Sequence, residues 1–583
     1  MNRILTSNRI LAGALLVLIA LLVWFSLHLA GTRIYQVDEC TEVYTARLLA
    51  TGQAKAHPGS IGLLQFPLSW LAKSTPSSDQ LLTAARFVMV ELFWLNFVLL
   101  ALATGVKLRS TGGLVVLLGA ATLAPLWDYG FEIRHDNLLL TGMLLTWCVV
   151  RVRPAGAQSY CIAGVLAVAM QFTAHKAFAY LAPLTLVILV FPPPGHDLPR
   201  WKLVLSWVGG ALAAFVALRL VYALQGAGEL SGFAGSGVSF VSKVSVSDSR
   251  FWPWNTLSRL LGQTPLLLAL VAAATVALAA DLLKRGKAAL SWDGCLPEAL
   301  LFFGTIGILF INPTPFPYNL LHVVPFAFLL AYRHGLGLSD EIVQRPKLLT
   351  FSVTVLVFVH LVTFGFTTRR HLEWTNARQV GLMNLAEELT DPVKDPVFDG
   401  AYLVSTRPAI HPASFLHSLT VQSLLEPNST HVADMLAARP AAVIMQNYRT
   451  DWLRKEDHDY IREHYVPMAD DFWVLGKMLP AGGGTFEIIH PGRYQIAPRE
   501  ASCILGTVET NRVGLIIRAV KTNCFGTLDG VPLTGKAVEL KPGTYRLETA
   551  ADCQPAVVWV GPRREWLRPI GDGDHRRLFV NWY

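Results

Sequence analysis

The chain has 583 residues, of which 52% are hydrophobic and only 15% charged, with a formal net charge of +8 and a mean hydropathy of +0.42. A soluble globular chain carries about 25% charged residues, so the composition excludes an ordinary cytosolic enzyme, a disordered tail protein and a disulfide-rich secreted domain. What remains is a polytopic membrane protein, whose basic surplus has to be read against the two sides of a bilayer and not as a sign of nucleic-acid binding.

Eleven apolar runs of roughly bilayer-spanning character recur along the first 366 residues: 10–30, 84–104, 112–126, 137–150, 159–172, 177–194, 203–223, 260–281, 299–311, 319–332 and 350–366. The first is longer than the apolar core of a signal peptide, and Gly31-Thr32-Arg33 is a poor cleavage site, so it reads as a retained helix. With the N-terminus inside, each of the loops 1–9, 105–111, 151–157, 192–202, 282–298 and 333–349 holds at least two Lys or Arg, as the positive-inside rule requires. An odd number of spans then puts everything after residue 366 outside. The expected fold is therefore a polytopic α-helical membrane domain over 1–366 with about eleven transmembrane helices, followed by a C-terminal soluble domain.

In that soluble part, 367–480 mixes signals. Asn376–Leu389 has helical periodicity, and Ala441–Gln446 reads as a short buried strand. Residues 481–583 read as strands at Thr485–His490, Gly514–Val520, Ala537–Leu540, Thr544–Glu548 and Ala556–Val560, punctuated by Pro-Gly at 491–492 and 542–543, which suggests a small β-sandwich. Seven Cys form no CxxC or zinc spacing; Cys148 and Cys161 read as buried thiols. Two of Cys503, Cys524 and Cys553 can pair if this region is extracytoplasmic.

Charges beside apolar spans are costly, so they are candidate functional residues. Four clusters share the outer side. Asp38 and Glu39 sit where the chain leaves the first span, followed by two mixed stretches, Glu42–Lys55 and Ile61–Ala72, that read as helices lying in the interface, a juxtamembrane segment over about 40–72. The loop Asp128-Tyr129-Gly130-Phe131-Glu132-Ile133-Arg134-His135-Asp136-Asn137 packs three acids, an Arg and a His into ten residues, with a structural salt bridge from Arg134 to Asp136 or Glu132 as the simpler alternative. His175-Lys176 interrupts a long apolar stretch as a tight hairpin. Pro313, Pro315 and Pro317 stiffen the approach to Tyr318, with His322 a helical turn later. A longer outer loop, 224–258, is rich in Gly and Ser and ends in Asp248, Arg250, Trp252 and Trp254, as a gate would.

Carboxylates, Lys, Arg, His and Tyr on one membrane face suit glycosyl transfer from a lipid-phosphate-linked sugar. The acceptor hydroxyl needs a base, the anionic lipid phosphate that leaves needs cationic donors, and the lipid needs apolar helices. No GxxxxGK[ST] loop is present, which argues against an ATP-driven pump.

The arrangement resembles the GT-C superfamily of integral-membrane glycosyltransferases, in particular the branch of protein O-mannosyltransferases and the lipid A aminoarabinose transferase. Val37-Asp38-Glu39 matches the acidic motif after the first helix, Arg134-His135-Asp136 an Arg-x-Asp-like element in the second outer loop, and His175-Lys176-Ala177 with Pro183 a Lys-bearing hairpin. Pro317-Tyr318-Asn319-Leu320-Leu321-His322-Val323-Val324-Pro325-Phe326 matches a Pro/Tyr-rich late loop. The likeness spans most of 1–366, and it is carried by the order and side of motifs that are individually loose. Ala177 and Cys40 depart from the residues usual at those places, and the soluble domain carries no matching motif.

The resemblance implies Asp38 as catalytic base and Glu39 as its support, or as a ligand to a divalent cation where one is used. It implies Lys176, His175 and Tyr318 at the carrier phosphate, and Arg134, Asp136, Glu132 and His322 around the pocket. The donor is then a polyprenyl-phosphate sugar, the acceptor a lipid, glycan or protein hydroxyl, and the reaction inverting. The setting is a bacterial inner membrane, with the C-terminal domain in the periplasm. A transporter or flippase for a lipid-linked saccharide would carry its ionisable residues in mid-helix. A membrane-anchored glycan-binding assembly protein would work through the β-rich tail.

Overall fold

In a computed structural model of the chain, every one of the eleven apolar runs falls on helix. The described residues are 2–53, 62–151, 156–174, 176–191, 198–224, 253–285, 296–312, 315–332, 346–412, 414–416, 431–498, 526–533, 536–551, 553–564, 567, 570–571, 573 and 577–579. His175, most of the 224–258 loop, Cys503, Cys524 and the expected strand Gly514–Val520 lie outside them.

The helices are α1 (Asn2–Thr32), α2 (Val37–Ala50), α3 (Gln65–Ser74), α4 (Ser78–Ala103), α5 (Thr111–Ala121), α6 (Ala124–Tyr129), α7 (His135–Arg151), α8 (Ala157–Gln171) and α9 (Ala177–Val190). They continue as α10 (Arg200–Leu224), α11 (Pro253–Gln263), α12 (Pro265–Arg285), α13 (Leu296–Ile311), α14 (Leu320–Leu330) and α15 (Pro346–Glu373). Four stretches are long and apolar enough to cross a membrane: Arg9–Thr32, Ser78–Ala103, Arg200–Leu224 and Pro265–Lys284. Their outward faces are apolar: Val17, Trp24, Leu212, Val216 and Leu220 are all more than half exposed. Water would make such a surface unstable and lipid would not.

Two apolar runs are interrupted. The 112–126 run breaks between α5 and α6, where Pro125 starts a new helix, and the 260–281 run breaks at Thr264, before Pro265. Proline has no N–H to continue the preceding helix. Cys161 is exposed and not buried. It sits on the outer face of α8 beside the exposed Ile162 and Val165, where a thiol behaves as a small apolar group. Helices α8 and α10 meet backbone to backbone. A Cβ on Gly164 would fall 2.0 Å from the Trp207 carbonyl oxygen, and one on Gly210 would fall 2.0 Å from that of Cys161. Small residues at such crossings are what lets apolar helices pack without a hydrophobic drive between them.

The C-terminal part begins with α16 (Ala377–Leu389), as its periodicity predicts, and adds α17 (Val432–Ala438) and α18 (Lys455–His464). One sheet runs β1 (Val397–Phe398), β2 (Val443–Ile444), β4 (Phe472–Met478), β11 (Pro555–Trp559), β6 (Gly492–Pro498), β9 (Val538–Leu540), with β3 (Tyr465–Ala469) also on β4. β1 and β2 are parallel and the other pairs antiparallel. A second sheet is β5 (Gly483–Ile488), β10 (Gly543–Thr549), β7 (Gly526–Leu528), β8 (Val531–Pro532). The first sheet crosses residue 480. β4 leaves β2 and β3 and passes to β11 at Gly476, whose φ of +153° and whose distance of 2.1 Å from an added Cβ to the Val557 carbonyl oxygen leave room for no side chain.

Trp374 and helix α16 fasten this part to the N-terminal helical half. Ile34 N–H donates to Trp374 O (2.9 Å), Tyr35 N–H to Gln379 Oε1 (2.7 Å), and Gln379 Nε2 to Tyr35 O (3.0 Å). The short connection between α1 and α2 is thereby fixed on both sides.

Candidate active site

Helix α2 starts one residue before Asp38. Successive helical residues point about 100° apart, so the neighbouring carboxylates of Asp38 and Glu39 face different surroundings. Glu39 turns inward and is fully buried. Its Oε1 accepts from Arg86 Nε (2.7 Å) and Ile133 N–H (3.1 Å), its Oε2 from Arg86 Nη2 (2.6 Å) and Gln36 N–H (2.8 Å). Burial alone would raise its pKa, but the Arg86 pairing outweighs it and the carboxyl is held below the usual carboxylate range. Arg86 also donates to the Arg33 and Ile34 carbonyls and lies over the Tyr35 ring. Glu39 thus locks the start of α2 to α4 and to the 130–134 loop. With both oxygens on a guanidinium and amides, it does not fit a cation site. Among the described residues no three His, Cys, Asp or Glu side chains gather as metal ligands would.

Asp38 turns outward. Its Oδ2 pairs with Arg134 Nη1 at 2.5 Å, yet its side chain stays 32% exposed, against 0–1% for Glu39, Glu132 and Asp136. Arg134 also reaches Asp136 Oδ2 (3.3 Å) and lies 3.9 Å from Glu132 Oε2, so the simple salt bridges within the loop exist alongside the long-range one to Asp38. Asp136 is buried at the start of α7 and accepts Lys176 Nζ at 2.5 Å. Tyr318 lies under both cations, with Arg134 Cζ 4.0 Å and Lys176 Nζ 4.1 Å from its ring centroid, a cation–π arrangement. Burial depresses the Lys176 pKa more than Asp136 raises it.

The four sequence clusters therefore converge. Asp38, Glu39, Glu132, Arg134, Asp136, Lys176 and Tyr318 form one network, and His322 sits behind it, 3.9 Å from Asp136 and stacked on Tyr180. Asp128 does not join them. It faces Arg370 and His371 of α15 and Gln263 of α11, tying helices together away from Asp38.

Several contributors escaped the sequence reading. Arg33 is buried and pairs with Glu132 at 2.8 Å, and Arg86 holds Glu39. An Arg inside an apolar run is itself the signal that could have marked Arg86. Tyr180 escaped that reading too; its Oη donates to Oδ1 of Asn319 (2.9 Å), a residue of the proline-rich motif that also accepts from Lys176 Nζ (3.4 Å). Glu42 lies one helical turn after Asp38, on the same face of α2. It meets His135 Nδ1 at 3.1 Å, and Gln65 of α3 donates to its other oxygen.

No protein-family model matches the chain, and no curated protein matches it either.

The arrangement offers one reachable carboxylate paired with an Arg, beside a Lys and an Arg stacked on a Tyr. Such a site can accept a proton and stabilise an oxyanion a few ångströms away.

Proposed function

We propose that the chain is an integral-membrane glycosyltransferase. It moves a sugar from a polyprenyl-phosphate donor to an acceptor hydroxyl at the extracytoplasmic face, with inversion. The observation that carries this reading is Asp38, a carboxylate about one-third exposed in an otherwise largely buried network, beside the cations Arg134 and Lys176. Asp38 takes the acceptor proton as the acceptor oxygen bonds to the anomeric carbon. The bond from that carbon to the phosphate oxygen breaks, its electron pair stays on the phosphate, and Lys176 and Arg134 take up the developing charge. The likeness to GT-C enzymes belongs to the same proposal, as do the count of eleven spans and a periplasmic C-terminal part. Cys553 is disulfide-bonded, which suits an oxidising compartment.

A transporter of a lipid-linked saccharide is less well supported. Asp38 and Asp136 are each the second residue of a helix, Lys176 immediately precedes α9 and Tyr318 precedes α14, so the residues around Asp38 gather at helix starts, with Arg86 behind them inside α4. The test is reconstitution of the full chain in vesicles with a polyprenyl-phosphate sugar, read by mass spectrometry. A new glycosidic bond on an acceptor is expected. Movement of the intact lipid-linked sugar across the bilayer without such a bond contradicts the proposal.

A further inference from the structure

A cavity of about 650 Å³ opens at the other end of α2, between the juxtamembrane helices and the 390–412 segment of the C-terminal part. Nine residues of helix, ~14 Å, separate Asp38 from Arg47 on its wall, and none of the network residues lines it. Its size is that of a small-ligand site.

Three guanidiniums line it, Arg47, Arg407 and Arg439, and among the described residues no carboxylate does. Their partners are neutral. Arg47 donates to the carbonyls of Ala72 (3.1 Å), Thr75 (2.9 Å) and Ser77 (3.3 Å), closing the end of α3. Arg407 donates to the hydroxyl and carbonyl of Thr390 (2.6 and 3.0 Å), to Thr406 and to the Glu387 carbonyl. Exposed Arg439 donates to the Ala409 carbonyl at 3.0 Å. The neighbouring carboxylate, Glu387, accepts from Ser78 and Thr406. Among the described residues none of the three forms an ion pair. Glu387 offsets part of the charge of Arg47, and Glu387, Asp391 and Asp395 part of that of Arg407, so the exposed Arg439 is the charge that an anionic ligand would meet at this wall.

The opposite wall is held under strain. Tyr402 lines the cavity with φ of +61°, a conformation that costs a bulky residue free energy unless its surroundings impose it. The buried carboxylate of Asp399 imposes it by accepting the amides of Ala401 (2.6 Å), Tyr402 (2.6 Å) and Leu403 (2.8 Å). Tyr402 then stacks on Tyr44 of α2, ring centroids 4.3 Å apart. Tyr402 also stacks on Phe415, so its ring faces are filled, and the polar lining is left to Thr51, Gln53, Ser405 and Thr406, which can hydrogen-bond a polyol while the arginines meet a phosphate.

We infer that this cavity is a second ligand site, separate from the Asp38 network, that binds a phosphorylated polyol, either a soluble phosphosaccharide or a phospholipid headgroup. The inference goes beyond the transferase reading and stands without it, because its readout is binding.

The test uses the full chain in phosphatidylcholine nanodiscs titrated with glucose 1-phosphate, and parallel discs containing phosphatidylglycerol, with wild-type, Arg439→Gln, Arg439→Lys and Asp38→Asn proteins. Arg439 is exposed, so its replacement leaves the fold intact, as an unchanged Tm verifies. Saturable binding is expected, about tenfold weaker in Arg439→Gln, partly recovered in Arg439→Lys and unaltered in Asp38→Asn. If phosphatidylglycerol competes with glucose 1-phosphate, the source is a lipid headgroup; if it does not, the source is a soluble phosphosaccharide. Equal affinity of wild-type and Arg439→Gln overturns the inference, as does inorganic phosphate binding as tightly as glucose 1-phosphate. Absence of both glucose 1-phosphate binding and an Arg439-dependent stabilisation by phosphatidylglycerol also overturns it.

Discussion

The far ends of α7 carry two charge clusters built to different plans. At its last residue, Arg151 pairs with Glu298 of α13 at 2.7 Å, both side chains buried, with the guanidinium 5.1 Å from the Trp147 ring centroid. At its first turn, Asp136 belongs to a network of acids and bases from the residue after α1, from α2, α4, the 130–134 loop, α7 and the residue before α9, and one member, Asp38, remains within reach of a ligand. Two residues suffice to join two helices. A network that recruits four bases and leaves a carboxylate one-third exposed holds more than joining requires, and the surplus is where chemistry can sit.

That contrast can be broken from either end. The largest expected effect is Arg86→Met, which strands buried Glu39 without its partner and should lower unfolding stability by about 3–5 kcal/mol, read by thermal unfolding in detergent. At the Arg151 end, the double replacement Arg151→Met with Glu298→Leu removes both charges together and should be close to neutral, within about 1 kcal/mol, with transfer activity retained. A strong loss of activity there would erase the distinction between the two clusters.

Lys176→Met should cut transfer by about 100-fold while the protein still unfolds cooperatively, since the phosphate loses a charge-assisted donor. Acid sharpens the comparison further. The Glu39 pKa is lowered on folding, so its contribution to stability is present above its unfolded pKa of ~4.3 and is lost as pH falls through the lower folded value. Glu39→Gln should flatten that acidic limb in a plot of Tm against pH. The smallest effect is expected for Ser78→Ala, which removes one hydroxyl from Glu387 and should cost about 1 kcal/mol.

Much of this was legible before any coordinates. The helices lie where the apolar runs lie, because apolar surface has only lipid or other helices to face. Asp38, Arg134, Asp136, Lys176 and Tyr318 stood out because a scarce charge or a proline-flanked Tyr beside an apolar span demands a reason. Their pairing was not legible. Glu39 and Asp38 look alike in sequence, and only the helical turn between them sends one to Arg86 and the other outward. Arg86 gives a weak signal because the apolar residues around it on α4 average its charge away. Asn319 stands in the proline-rich motif without a role that sequence could assign, and Tyr180, neutral and among aliphatics, gives no signal at all. The sheet that crosses residue 480 was hidden too, since strand order is a long-range property and Gly476 reads as an ordinary strand glycine.

The central claim is that Asp38 takes the proton of the acceptor hydroxyl. The direct measurement is single-turnover transfer from a polyprenyl-phosphate sugar by purified Asp38→Asn protein, with its Tm checked against wild type. A fall of about 100-fold or more at unchanged Tm is predicted, and turnover near the wild-type rate would contradict the account.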